Sequence, residues 1–392
     1  MHDKSPLSYE HLYIDPSIRN DQGLAARFPF PTLADPATVH LSVVVPAYNE
    51  ELRLPKMMNE TLSVLIDRVN RDPQFKFEII VVDDGSKDRT TEVALGYTQR
   101  FGANIVRVLT LPQNQGKGGA VQQGVLHARG RLILFADADG ASDFTMLTKL
   151  EEALMKIRIG EHGIAIGSRA HLEEESVAKR KWYRTVLMVG FHVLVSMLAG
   201  VSGIRDTQCG FKLFTRETAR LLFSNQHVRR WCFDVELLYI AQQQGIPIAE
   251  VPIAWQEIAG SKLEIFDASF QMARDVAITR LSYVLGIWQI QDPDSPTLKA
   301  IADKARKSAL YCTDAHGLTK TVGGVPTLTG TGVRPAPITS GGGADPVLSA
   351  MATQNLYKRA KANLTRVQAE EIVGSKSPLS VTRPPSRGIA RR

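Results

Sequence analysis

FEIIVVDDGSK, running from Phe77 to Lys87, is the stretch that decides the fold. Its apolar run is rich in Val and Ile and too short for a helix. It reads as a strand buried on both faces, the kind found inside a parallel sheet. It stops at Asp83-Asp84-Gly85-Ser86, residue types that turn a chain and cap the next helix. Working outward, Leu41–Val45, Ile105–Leu109 and Leu132–Ala136 repeat the apolar run, and Ile164–Gly167 and Val251–Ala254 are shorter versions of it. Leu52–Val69, Thr90–Arg100 and Gly118–Ala128 fill the gaps with helical spacing. Strands alternating with helices predict an α/β fold: an open, mostly parallel sheet with helices on both faces. Such sheets bind ligands beyond the carboxyl ends of their strands. The polar clusters of this chain stand at those ends, after Val45, Val82 and Ala136.

The chain has 392 residues, 44% hydrophobic and 22% charged, enough for one large α/β domain or two smaller ones. A net charge of +7 suits nucleic acid, an anionic membrane surface or a phosphorylated substrate. Counted over residues 292–392 the charge is about +8, so the folded part is nearly neutral. That basic segment lacks interleaved aromatics, which argues against a nucleic-acid partner. Cys209, Cys232 and Cys312 form no CxxC pair and are expected to be reduced thiols. Residues 1–20 have no apolar core of a signal peptide, and no run reaches the ~20 apolar residues of a membrane span. Thr185–Gly200 comes nearest, but His192 and Ser196 interrupt it; it suits a buried or interfacial helix.

Four segments follow. Residues 1–38, with Pro6, Pro16, Pro29, Pro31 and Pro36, are expected to be an irregular arm. Residues 39–258 carry the sheet. Within 259–291, Leu263–Ile290 has the spacing of one or two amphipathic helices. Residues 292–392 are dominated by Gly, Thr, Pro, Ser and Ala, and cannot bury enough apolar surface to offset their ordering entropy. They are expected to be mostly disordered, with a short helix near Asn355–Glu371.

The strand-end clusters carry the chemistry. Asp137-Ala138-Asp139 follows a buried strand, and residues i and i+2 of extended chain face the same way. Two carboxylates so placed suit Mg²⁺ or Mn²⁺ with open positions for phosphate oxygens. Asp84 is placed to accept the imino hydrogen of a uracil ring, while Ser86 and Asp88 suit helix capping. After the first strand come Pro46, Tyr48 and Glu50; Tyr48 suits stacking on a base and Glu50 the ribose hydroxyls, or Asn49 simply caps a helix. QNQGKGG, residues 113–119, allows close backbone approach to a ligand and brings Lys117 to phosphate. It is not a Walker loop, and no GxGxxG follows the first strand, which argues against a dinucleotide site.

Together these elements have the spacing of family 2 glycosyltransferases. Over roughly residues 40–290 the chain resembles the eukaryotic dolichyl-phosphate β-glucosyltransferases of that family. The widely shared stretches are SVVVPAYNEELRLPKMM (42–58), EIIVVDDGSKDRT (78–90), NQGKGGAV (114–121) and DADGA (137–141). The more specific ones are GSRAHLEEESVAKR (167–180), GIRDTQCGFKLFTR (203–216), RWCFDVELLYIAQ (230–242) and PIAEVPIAWQEIAGSKL (247–263).

The resemblance implies a GT-A nucleotide-sugar-binding fold and transfer of glucose from UDP-glucose to dolichyl phosphate with inversion. The product would be dolichyl β-D-glucosyl phosphate for protein N-glycosylation. It implies that Pro46, Tyr48, Glu50 and Asp84 hold the uridine. Asp137 and Asp139 would hold the diphosphate through Mg²⁺ or Mn²⁺, with Asp139 the preferred direct ligand. Arg169, with Arg180 or Arg184, would hold the acceptor phosphate, and Asp206 would stand where relatives keep an active-site carboxylate. The expected setting is the endoplasmic reticulum membrane, with the catalytic domain on the cytosolic face. Family members usually carry an N-terminal membrane anchor, and the basic tail is foreign to them; both departures bear on attachment rather than chemistry. Trp231 and Trp255 suit packing or the acceptor path, His171 and His192 packing, and Glu173–Glu175 a solvated turn. The rival readings are a dolichyl-phosphate mannosyltransferase using GDP-mannose and a non-catalytic nucleotide-sugar-binding scaffold.

Overall fold

The computed structural model describes residues 12–19, 25–171, 201–256, 265–292, 311–313 and 319–321. The chain opens with β1 (Leu12–Arg19) and β2 (Ala25–Pro29), then β3 (Val39–Ala47), α1 (Leu54–Arg71), β4 (Phe77–Asp83) and α2 (Thr90–Phe101). β5 (Val106–Thr110), α3 (Lys117–Leu126), β6 (Gly130–Ala136), α4 (Leu147–Ile157) and β7 (Ile164–Ser168) follow. After them come β8 (Phe211–Thr215), α5 (Arg216–Ser224), α6 (Phe233–Gln243), β9 (Ile248–Pro252) and α7 (Ile265–Val284), with β10 (Tyr311–Thr313) and β11 (Thr319–Thr321) as a small separate ladder.

Seven strands form one sheet in the order β5-β4-β3-β6-β8-β7-β9. β8 runs antiparallel to both neighbours, and the other pairings are parallel. All seven residues of β4 are buried, the apolar Ile79–Val82 run as a strand inside a parallel sheet requires, and Glu78 and Asp83 with it. Successive residues feed opposite faces. Val43, Val45, Ile79 and Val81 pack with Leu62, Val69, Phe101 and Leu154, which lie on α1, α2 and α4. Val44, Ile80 and Val82 pack with Val121, Val125, Leu222, Leu238 and Val276, which lie on α3, α5, α6 and α7. Helices therefore cover both faces, as the alternation predicts. β8 was not legible beforehand, because Lys212 interrupts its apolar pattern.

The N-terminal arm differs from expectation. β1 and β2 pair antiparallel, so this part of the arm is a hairpin rather than irregular chain. A buried cation holds it down. The Arg107 guanidinium lies 5.4 Å from the Tyr13 ring centroid and 5.1 Å from that of Phe30. Arg107 and Arg129 both pair with Glu78, which is fully buried. Burial, reinforced by Arg129, pushes the Arg107 pKa down to about 9. Amphipathic periodicity does not register an aromatic clamp on a buried arginine, so proline content misled the reading.

Of the expected amphipathic stretch, Ile265–Val284 is one helix. Apart from β10 and β11, the expectations for residues 292–392 lie outside the described residues. So do those for Thr185–Gly200, Arg180, Arg184, Glu173–Glu175 and His192. Among the described residues, no helix is long and apolar enough to cross a membrane.

Candidate active site

Three parallel strands end side by side, with Ala47 in register with Asp83, and Val44 with Phe135. Their exit loops make the site. The loops after β3 and β4 are laced together. The Asn49 N–H donates to the Ser86 hydroxyl at 2.9 Å, and Lys87 N–H donates to the Asn49 amide oxygen at 2.8 Å. Glu50 N–H donates to the Thr90 hydroxyl at 2.8 Å, and Glu51 N–H to Asp88 at 3.2 Å. Asn49 sits at φ 55, a left-handed conformation that asparagine tolerates. Asp88 accepts the Thr90 N–H at 3.0 Å at the start of α2, while the Ser86 hydroxyl serves the loop after β3 instead of capping the helix, so the two residues lock the loops to each other.

Pro46 closes β3 half-buried, and Tyr48 stands 42% exposed at the rim, open to a ring stacking on it. Glu50 is engaged by Arg53, whose Nε donates to it at 2.6 Å. Burial raises the Glu50 pKa despite that partner, helped by the fields of Asp139 and Asp137, so Glu50 faces the acidic pair.

Asp84 is 3% exposed. One oxygen accepts the Gln115 N–H at 2.6 Å and the other the Gly116 N–H at 2.9 Å. Burial pushes its carboxyl up to about 6 against those two bonds. Asp84 therefore ties the QNQGKGG loop to the end of β4. Gly116 adopts φ 87, and a side chain there would strike the Arg229 carbonyl at 2.6 Å. That carbonyl accepts the Gly119 N–H at 2.8 Å. The first turn of α3 is thereby pinned from two sides, with Lys117 as its first residue.

Lys117 Nζ reaches Asp137 Oδ1 at 2.7 Å. Burial opposes its charge, but Asp137 and Asp234 more than offset this and raise its pKa. Asp137 is seated by the neighbouring strand. Its N–H donates to the Gly210 carbonyl at 3.1 Å, and its carboxylate occupies the space that any Cβ at 210 would fill. Asp139 accepts the Ala141 N–H at 3.0 Å, which shapes the turn after β6.

Arg169 leaves the end of β7, on the far side of β8. Its Nε and Nη2 donate to Asp206 at 2.8 and 2.9 Å, and its backbone N–H donates to the same carboxylate at 2.9 Å. The pair holds Asp206 below the usual carboxylate range despite burial, and raises Arg169. Glu250 on β9 accepts the N–H groups of Arg205 and Asp206, at 3.1 and 2.9 Å. The Arg169 guanidinium lies 5.5 Å from the Trp255 ring centroid. Asp137 acts on Arg169, Lys117 and Glu50 through its field, so the strand-end groups converge on it.

The sequence reading missed a buried pair behind this front. Lys212 Nζ contacts Asp234 at 2.6 Å and the Cys209 carbonyl at 2.6 Å, and both charged residues are almost fully buried. The signal was present: a lysine inside an apolar strand and an aspartate inside an apolar helix. Glu236 was missed for the same reason. It accepts the N–H groups of His227 and Val228 at 3.0 and 2.7 Å, and so shapes the loop that packs on α3. Trp231, on that loop, is 52% exposed rather than packed. Cys209 and Cys232 are buried thiols, and burial pushes them up to about 11 and about 12.

Residues 42–222 match the Glycosyl transferase family 2 profile. The chain is 56% identical to human dolichyl-phosphate beta-glucosyltransferase over 263 residues, covering 67% of this chain and 81% of that protein. The chain belongs to the dolichyl-phosphate β-glucosyltransferases. Their Dictyostelium discoideum member is 47% identical over 298 residues, covering 74% of this chain and 89% of its own. The Saccharomyces cerevisiae member is 44% identical, covering 65% and 78%. Among solved structures, Mycobacterium tuberculosis glucosyl-3-phosphoglycerate synthase with UDP superposes at a TM-score of 0.44. It is 21% identical, covering 62% of this chain and 80% of that one. Other crystals of that synthase hold Mn²⁺ or Mg²⁺ together with UDP.

Proposed function

We propose that this dolichyl-phosphate β-glucosyltransferase transfers glucose from UDP-glucose to dolichyl phosphate with inversion, giving dolichyl β-D-glucosyl phosphate. The observation that carries the reading is the 56% identity with the human family member over 263 residues. The donor side is built from Pro46, Tyr48, Glu50, Asp84, Lys117 and Asp137. Tyr48 and Glu50 offer a ring face and a carboxylate to uridine. Asp84 acts mainly by holding the loop that presents Lys117 and the N–H groups of α3, and a helix N-terminus favours a diphosphate.

Asp137 and Asp139 fit a divalent cation. No cluster of three or more His, Cys, Asp or Glu suited to a metal occurs among the described residues. Two carboxylates completed by substrate phosphates and water is how Mg²⁺ is ordinarily held. The bound ion would neutralise the leaving diphosphate.

The acceptor phosphate has a second pKa near 6 and is largely a dianion at neutral pH. It is already a nucleophile, and needs alignment and charge management more than a base. Arg169 supplies both: with its Nε/Nη2 edge held by Asp206, its remaining N–H groups stay aimed, and a guanidinium forks onto phosphate oxygens. Asp206 is then a positioning residue. Its depressed pKa makes it a poor proton acceptor. Arg180 and Arg184 would add to the acceptor side.

The acceptor's phosphate lies at a membrane surface, and α7 offers an apolar ridge towards one. Ile278, Leu281, Val284, Leu285 and Ile287 are between 51% and 68% exposed. Val276 turns into the core, and Trp288 stacks on His227 with centroids 4.3 Å apart, so neither joins the ridge. The ridge, with the family's pathway, supports peripheral attachment to the cytosolic face of the endoplasmic reticulum, in service of N-glycosylation. The test offers labelled UDP-glucose and GDP-mannose with dolichyl phosphate and identifies the lipid product. A glucosyl lipid from UDP-glucose alone supports the reading, and a mannosyl lipid overturns it.

A further inference from the structure

The two acids of the Asp137-Ala138-Asp139 motif are not equivalent. Asp139 touches a backbone N–H, whereas Asp137 is in contact with an ammonium. Lys117 stands 5.4 Å from the Phe135 ring centroid and 5.9 Å from that of Trp231, and is 20% exposed. Asp234 also attracts it through space, but the Asp234 carboxylate is in contact with Lys212. Asp137 is thus the carboxylate that Lys117 touches. A divalent ion arriving alone would meet a positive charge already seated on one of its two ligands.

The backbone around Lys117 is tied down by Asp84 below and Arg229 above. Only its side chain is free to exchange partners, and a lysine stem has four rotatable bonds with a rotating donor head. A diphosphate at the α3 N-terminus offers the ammonium a second anion within the same reach. Resting on the reading that Asp137 and Asp139 hold the divalent ion, we propose that Lys117 is an exchangeable stopper on Asp137. It masks the carboxylate in the free enzyme and moves to the nucleotide diphosphate when the donor arrives, which makes metal binding conditional on donor binding. The free enzyme then keeps a low affinity for metal, and metal and nucleotide reinforce each other. Such coupling is reciprocal: UDP tightens the metal by the same factor as the metal tightens UDP.

The test is direct binding to the full chain, with Mn²⁺ titrated by electron paramagnetic resonance in the absence and presence of saturating UDP. Lys117→Met should bind Mn²⁺ alone about tenfold more tightly than wild type, within the range of site-to-site coupling, while its UDP affinity falls. Lys117→Arg, which keeps the charge, should retain the weak Mn²⁺ binding of wild type and shows that the Met effect is not general disturbance. Asp137→Asn should bind Mn²⁺ weakly with or without UDP. If Lys117→Met binds Mn²⁺ alone no more tightly than wild type, the stopper is refuted while a metal site that appears with UDP still stands. If wild type takes up no Mn²⁺ even with UDP, the metal reading falls and the stopper falls with it.

Discussion

Replacing Asp206 by Asn separates a positioning carboxylate from a catalytic base. The native carboxylate accepts three N–H groups of Arg169 at 2.8 to 2.9 Å. An amide keeps the shape, but has one acceptor oxygen and turns an NH₂ towards the guanidinium. Breaking a fully buried ion pair costs about 3–5 kcal/mol. Asp206 is nearly buried, but the Arg169 side chain is 32% exposed and water recovers part of the loss. The expected cost is therefore about 2–3 kcal/mol. If that loss falls on aligning the acceptor, kcat/KM for dolichyl phosphate drops roughly 30- to 150-fold. Initial rates with labelled UDP-glucose, from about pH 5.5 to 8.5, are the assay. The KM for UDP-glucose should stay within about twofold, the shape of the pH profile should persist, and Asp206→Glu should recover part of the rate. The sign of the linkage is clear. Asp206 is depressed in the folded protein, so its contribution is fully present above its ordinary pKa of about 3.9 and lost as pH falls through its folded value. Neutral pH thus leaves the pair intact. A loss beyond about 10⁴-fold in kcat at unchanged acceptor KM, with the acid limb of the profile gone, would refute positioning and make Asp206 a base.

Four further outcomes are expected. Asp139→Asn should abolish turnover, and excess EDTA should do the same to wild type until Mg²⁺ or Mn²⁺ is returned; full activity in EDTA would remove the metal. Arg169→Ala should weaken use of dolichyl phosphate by roughly 10- to 150-fold, from about 1.5–3 kcal/mol of charge-assisted bonding, with little change in UDP-glucose affinity by calorimetry. Glu78→Gln should destabilise the fold by about 3–5 kcal/mol in denaturant titration, because it strips the anion from two arginines at a buried position far from the chemistry. The protein should float with anionic liposomes at low salt and less at high salt, and more weakly when cut after Ile290; retention through alkaline carbonate would mean an integral protein.

The alternation from β3 to β6, and the strand ends where chemistry happens, were legible along the chain, whereas the β1–β2 hairpin and β8 were not. Local pattern is enough to show a buried strand: Ile79–Val82 of β4 is an unbroken apolar run because both faces of the strand are covered. Asp84, Asp137 and Lys117 stood out because polar residues at the end of such a strand face solvent or ligand. The partner of each group was not legible, since partners come from distant segments. Asp137 is seated by Gly210, Arg169 is aimed by Asp206, and the loop before α3 is held by Asp84. No periodicity announces those pairings, because the first two arise only when β8 inserts antiparallel between β6 and β7, and the third only when β5 pairs with β4. The same holds for Lys212 and Asp234, which violate the apolar pattern one at a time and make physical sense only as a pair. The sequence alone determined the fold class, the ends of the strands and the acids and bases standing there. The tertiary structure decided which charge meets which: a salt bridge depends on a few ångströms across the sheet, and sequence spacing measures distance only along the chain.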